Sequence, residues 1–181
     1  MWESVCSGKK LALDDIFLAP VSAAEWVLDG VIVRRLTPRN DDELAHVWQT
    51  CVGTTREVAL GQTFDPTALP AIVAQKDGVP LAVLALGLVE DDLIVLGYGS
   101  QMNLTRPGVG DLLLQHAESI GRTAARSHIV VPIPNDAAPA LFFLQRHGFA
   151  IERLGPRPQD GRSGLGGIMP DRELVLRRAL R

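Results

Sequence analysis

Apolar positions recur at two different periods along this chain, and the order in which those periods alternate predicts a layered α/β fold. Val31-Ile32-Val33-Arg34-Arg35-Leu36 reads as a strand bounded by Gly30 and Pro38. Asn40-Asp41-Asp42-Glu43 supplies helix-start chemistry, and Leu44, Val47, Trp48 and Cys51 then recur at helical spacing until Gly53. Residues 54–70 are mixed, with room for one more short helix before Phe64-Asp65-Pro66. Two apolar runs, 71–74 and 80–89, flank Asp77-Gly78, a hairpin signal because both central residues accept positive φ. Glu90-Asp91-Asp92 turns the chain again into the run 93–100. Three consecutive antiparallel strands are therefore predicted in the middle of the chain. The run 80–89 is apolar on both faces, which places it inside a sheet covered on both sides.

A further helix is predicted from Gly108 to about Arg126. Val109, Leu113, His116, Ala117, Ile120 and Ala124 share its apolar face, and Asp111, Gln115, Glu118 and Arg122 lie largely opposite. A fifth strand follows over 128–133. Asn135-Asp136 then reads as the cap of a helix over 137–147, which Gly148 stops. Phe149-Ala150-Ile151 begins a sixth strand, a Gly/Pro/Arg-rich loop spans 155–170, and Glu173-Leu174-Val175-Leu176 forms the last strand. The whole is expected to be a mixed, mostly antiparallel sheet of about seven strands with helices on both faces. Residues 1–30 read as an N-terminal extension, with 21–28 a short helix carrying Trp26; it covers part of the core or mediates self-association into a homodimer. Residues 31–181 read as the domain proper.

Composition narrows the function classes. The 181 residues suit one domain, and 46% apolar with 22% charged residues is the balance of a globular protein rather than a disordered chain. A net charge of −3 gives no electrostatic reason to expect a nucleic-acid partner. Cys6 and Cys51 have no metal-ligand spacing and are too few to staple a fold, so no metal is expected and a cytoplasmic setting is. Gly87, Glu90, Asp91 and Asp92 interrupt the longest apolar stretch, so no membrane span is expected either.

Candidate chemistry concentrates at Thr105-Arg106-Pro107-Gly108-Val109-Gly110-Asp111-Leu112-Leu113-Leu114. A strand, a glycine-bearing turn and a helix start together make an anion site, because first-turn N–H groups lack intrahelical partners and the helix dipole is positive there. Gly108 and Gly110 remove side chains that would hold a phosphate away. Gly97 and Gly99 leave one face of the preceding strand bare, a sign of close approach by a ligand or another backbone. Tyr98, the single tyrosine, lies on that strand. His116 reads as a packed core histidine, His147 as a helix-end residue needing no catalytic role, and Cys51 as inert.

The element order, with its Gly-x-Gly after the fourth strand, resembles the GNAT superfamily of acyl-CoA-dependent N-acyltransferases over roughly residues 31–179. Its sharpest parts are the run 107–114, similar to the family's pyrophosphate loop, and Asn135 through the Gly148-Phe149 pair, similar to its helix ending in Gly-Phe. The resemblance implies acetyl-CoA as acyl donor, an amine acceptor, and a sheet splayed between its fourth and fifth strands to admit the pantetheine arm. It implies cofactor contacts from Gly99, Ser100, Arg106, Gly108, Val109, Gly110, Asp111 and Asn135. Backbone groups at Gly99 and Ser100 would polarise the thioester carbonyl. Three positions depart from the family pattern. Thr105 stands where Gln or Arg is usual, Leu144 stands where a proton-donating tyrosine is usual, and the strand 93–100 carries no glutamate base. Tyr98 is the candidate to take over as acid, with Ser100 beside it. The alternatives are a non-catalytic acyl-CoA-binding or sensing domain and an interaction module that has lost the cofactor.

Overall fold

A computed structural model of the chain describes residues 29–54, 57–101, 107–156 and 172–180. The expected helix within 21–28, Thr105, Arg106 and most of the loop 155–170 lie outside the described residues.

The strands are β1 (Val31–Leu36), β2 (Glu57–Ala59), β3 (Gln62–Phe64), β4 (Ala71–Lys76), β5 (Val79–Val89), β6 (Asp92–Ser100), β7 (His128–Pro134), β8 (Ala150–Pro156) and β9 (Arg172–Ala179). The helices are α1 (Asp41–Cys51), α2 (Val109–Thr123) and α3 (Ala138–Arg146). Seven strands form one sheet in the order β1-β4-β5-β6-β7-β9-β8. Every neighbouring pair is antiparallel except β6–β7. This is the mixed, mostly antiparallel sheet expected from the sequence.

Strand alternation sorts the apolar residues onto two faces. Ile72, Leu84, Leu86, Leu93, Val95, Ile129, Val131 and Leu176 pack with α2 and α3, including Leu113, Ile120 and Leu144. On the other face Val73, Val83 and Ala85 meet Leu44, Val47, Trp48 and Cys51 of α1. Ile94, Leu96, Val130 and Val175 meet Ala59 of β2. Each fully buried Leu or Ile contributes roughly 1.5–3 kcal/mol of transfer free energy, which is why the patterned stretches dictate the layers.

Residues 54–70 hold no further α-helix among the described residues. The small β2–β3 hairpin stands there instead, turning through Leu60 (φ 52°) and Gly61 (φ 74°). Two successive positive φ values close a two-residue hairpin and end any helix, and the glycine was the overlooked signal. A second correction concerns α3. The N-cap of that helix is Ala137 rather than Asn135 or Asp136, and Pro139 sets the first turn.

The pairing of β6 with β7 is short. It runs Asp92↔His128, Leu93↔Ile129 and Ile94↔Val130, and stops there among the described residues. The reason lies in β7. Asn135 N donates to Arg172 O (3.2 Å), so with Pro134 opposite Glu173 the odd-numbered residues of β7 bond to β9 and the even-numbered ones face β6. The next two even positions are Pro132 and Pro134, which have no N–H to give. The ladder ends where its donors end, and the sheet opens as expected between its fourth and fifth strands.

Candidate functional site

The opening is continuous with a bulge in β6. Ala85 pairs with Gly97 but Leu86 pairs with Val95, so Leu96 is the extra residue. A bulge re-aims every side chain beyond it. Tyr98 thereby comes opposite Leu84, on the face that carries α2, instead of continuing the Ile94–Leu96 side. Tyr98 is half exposed (50%).

A cavity of about 220 Å³ fills the opening. Leu84, Val95, Leu113, Leu114, Val131, Ile133 and Leu144 form most of its wall, and Tyr98 carries the one polar side chain among the described lining residues. Its mouth is a second depression lined by Tyr98, Gly108, Gly110, Asp111, Pro139, Ala140, Phe143 and Arg146. Tyr98, Gly110 and Phe143 belong to both.

At that mouth α2 begins. Gly108 is its N-cap with φ +88°, a left-handed conformation that side chains resist. The first intrahelical bond is Leu112 N to Gly108 O (2.9 Å), so the N–H groups of Val109, Gly110 and Asp111 precede the ladder. Gly110 is small for a further reason: a Cβ there would sit 3.3 Å from the Phe143 ring. The Asp111 carboxylate is held by His147 Nε2 at 2.7 Å and by Arg146 at 3.4 Å, and the His147 ring packs on Phe143. His147, expected as a helix-end residue with no catalytic role, thus ties the end of α3 to the start of α2. Arg146, at a position with no local signal in the sequence, is the cation at the mouth among the described residues.

The remaining candidates separate. Gly99 does not face open space: a Cβ on it would clash with the Val52 side chain, so the close approach there is by the residue after α1. Its backbone is also turned away from the opening. Gln101 N donates to Leu81 O (2.9 Å), so with Val83 opposite Gly99 the odd-numbered residues of β6 beyond the bulge, from Gly97 on, bond to β5. The polar groups of Tyr98 and Ser100 face the opened edge instead. Ser100 is half-buried, and neither depression includes it. Asn135 follows Pro134, the last wall residue of β7, and likewise stands outside both. Arg106 lies outside the described residues.

The opposite face of the sheet buries a carboxylate of β9, Glu173. Glu173 is only 2% exposed and accepts a hydrogen bond from Leu60 N (3.0 Å), pinning the β2–β3 turn beside Pro134. A carboxylate this deep breaks the apolar alternation of β9, and that break was the available signal. His116 is packed as expected. Arg35 Nε donates to its Nε2 at 3.4 Å, and burial followed by the Arg35 charge lowers its pKa to about 4, so the imidazole is neutral at pH 7. Burial pushes the Cys51 thiol up to about 11, leaving it unreactive at pH 7. No helix among the described residues is long and apolar enough to cross a membrane.

No family model matches the sequence, and no curated protein matches it. Solved structures match its fold. The IAA acetyltransferase from Bacillus cereus superposes with a TM-score of 0.63 at 16% identity, over 83% of this chain and 99% of its own. The Salmonella typhimurium protein yncA, solved with its cofactor acetyl-CoA, gives 0.60 at 15% identity, over 84% and 95%. A GNAT-family acetyltransferase from Streptococcus pneumoniae gives 0.60 at 14% identity, over 83% and 99%. At such identities the likeness establishes the fold, and the fold is that of the GNAT acetyltransferases.

Proposed function

We propose that the chain is an acyl-CoA-dependent N-acyltransferase, moving an acyl group, acetyl being the smallest, from CoA to an amine. The observation that carries this reading is the opened β6–β7 edge with the start of α2 at its mouth. The two parts suit the two halves of CoA. The N–H groups of Val109, Gly110 and Asp111 and the dipole of α2 would take the pyrophosphate, with Arg146 and Pro107-Gly108 at its flank. Asp111 would repel a phosphate if its charge stood alone, and its bonds to His147 and Arg146 offset that. The pantetheine amides would find acceptors and donors along the unpaired edges of β6 and β7, including Tyr98 and Ser100 on the β6 side.

The amine nitrogen would attack the thioester carbon from the α1 and β2–β3 side. The C–N bond forms, negative charge gathers on the carbonyl oxygen, and Tyr98 N–H faces that oxygen's place at the opened edge. Collapse breaks the C–S bond and expels thiolate. The attacking amine loses a proton to solvent, and the Tyr98 hydroxyl, the single polar side chain among the described residues lining the cavity, is the proton donor to sulfur. Leu144 occupies the wall and can donate nothing.

That same poverty of ionisable groups favours one other reading, a domain that binds acyl-CoA without turning it over. The test has two stages. Acetyl-CoA at about a hundred times its dissociation constant adds about 2.7 kcal/mol to the native state, so the melting temperature rises by several degrees. No rise would end both readings. Release of free CoA thiol is then followed with a panel of small and peptide amines; binding without any amine-dependent release would leave only the binding domain.

A further inference from the structure

The cavity between β6 and β7 is larger and more apolar than an acetyl group requires. Its volume of about 220 Å³ exceeds the ~150 Å³ at which an apolar protein cavity already accepts benzene. Leu84, Val95, Leu113, Leu114, Val131 and Leu144 each stand at least nine-tenths buried in its wall. Tyr98 is at its rim, since it also lines the mouth. The pantetheine arm has amides that need partners, and those partners are on the strand edges, not among the side chains of β5 and α2 below. What the deeper part can hold is hydrocarbon. Leu144 adds to the room, because the ring of a tyrosine at that position would project into it.

We infer that the donor site takes an acyl chain longer than acetyl, a short saturated chain such as butanoyl or hexanoyl, with its tail between Leu84, Leu113 and Val131. This rests on the acyl-CoA reading and names the donor class for that same site. Each methylene fully removed from water gains about 0.8 kcal/mol, a fourfold rise in affinity.

The experiment is calorimetric titration of the full chain with CoA, acetyl-CoA, butanoyl-CoA and hexanoyl-CoA. Butanoyl-CoA, with two more methylenes, is expected to bind about fifteenfold tighter than acetyl-CoA. Val131→Phe, which narrows the cavity from β7, is expected to cut that ratio to near one; Leu144→Phe does the same from α3 if the first variant does not melt cooperatively. Failure of all four ligands to bind overturns the acyl-CoA reading and this inference together. Equal affinities, or a preference for acetyl-CoA, overturn the inference and leave the acyl-CoA reading in place. A butanoyl preference that persists in both cooperatively folded variants also overturns it, since the tail then lies elsewhere.

Discussion

The two ends of the β6–β7 pair are built on opposite principles. At the closed end, Asp92–Ile94 lie hydrogen-bonded against His128–Val130, and charged groups tie the surrounding strands. Arg177 of β9 reaches Asp92 (2.8 Å) and Glu152 of β8 (2.8 Å), and the His128 ring lies 3.3 Å from Asp92. Ser127 N donates to Asp91 O (2.8 Å) just before the strand begins. At the open end the same two strands part, two prolines withhold their donors, and the space is lined with hydrocarbon. Polar bonds therefore close the sheet at one end, and their absence opens it at the other. An apolar opening of this kind collapses unless something props it, and here Phe143 and Leu144 of α3 and Leu113 and Leu114 of α2 stand in its walls.

The sharpest way to break that contrast is at Tyr98, the one polar side chain among the described lining residues. If the open end carries the reaction, Tyr98→Phe removes the proton donor and keeps the ring in the wall. Turnover is expected to fall about a hundredfold, the low end of what a positioned general acid supplies, while the affinity for acetyl-CoA stays within about twofold. Thiol release at saturating amine checks the first and calorimetry the second. Unchanged turnover would mean that the thiolate leaves without help, and Tyr98 would then serve only through its backbone N–H.

Much of this contrast was legible from residue order. The hairpin at Asp77-Gly78, the helix after Gly108 and the buried run through β5 are local signals, in which spacing and glycine placement decide conformation. The site was legible only where backbone makes it, as at Gly108 and Gly110. Glu173 and Leu60 are 113 residues apart, and Tyr98 changes face because of a one-residue bulge at Leu96; neither fact has a local period. Gly99 misled for the same reason. A glycine in a strand marks a close neighbour, but only the fold says that the neighbour is Val52 rather than a ligand. The prolines were a missed opportunity, since Pro132 and Pro134 at alternate positions announce a strand with one edge stripped of donors.

A smaller effect tests the closed end. Arg177→Met takes the guanidinium from Asp92 and Glu152, whose hydrogen bonds and charges raise its own pKa. Arg177 is about one-third exposed, so the loss is about 1 kcal/mol and lowers the melting temperature by about 2–4 °C. If this end is a clamp and nothing more, acetyl-CoA affinity does not move. A tenfold weakening would show that the clamp sets the width of the opening, and the two ends would have to be treated as one device.

The smallest expected change in stability comes from the substitution that attacks the contrast most directly. Pro132→Val gives β7 back an N–H on the edge that faces β6. One new hydrogen bond to the Val95 carbonyl would add about 1 kcal/mol if the strands close enough to make it. Losing the proline lets the unfolded chain explore more conformations, which costs roughly 0.4–1 kcal/mol. The two terms nearly cancel, so the melting temperature is expected to stay within about 2 °C. Ligand binding does not share in that cancellation, because a strand drawn toward β6 narrows the slot that the pantetheine arm would enter. Acetyl-CoA is therefore expected to bind several-fold more weakly, and amide exchange at position 132 to be slow in the free protein. An exchanging amide together with undiminished affinity would mean that packing of α2 and α3 holds the strands apart without help from the prolines.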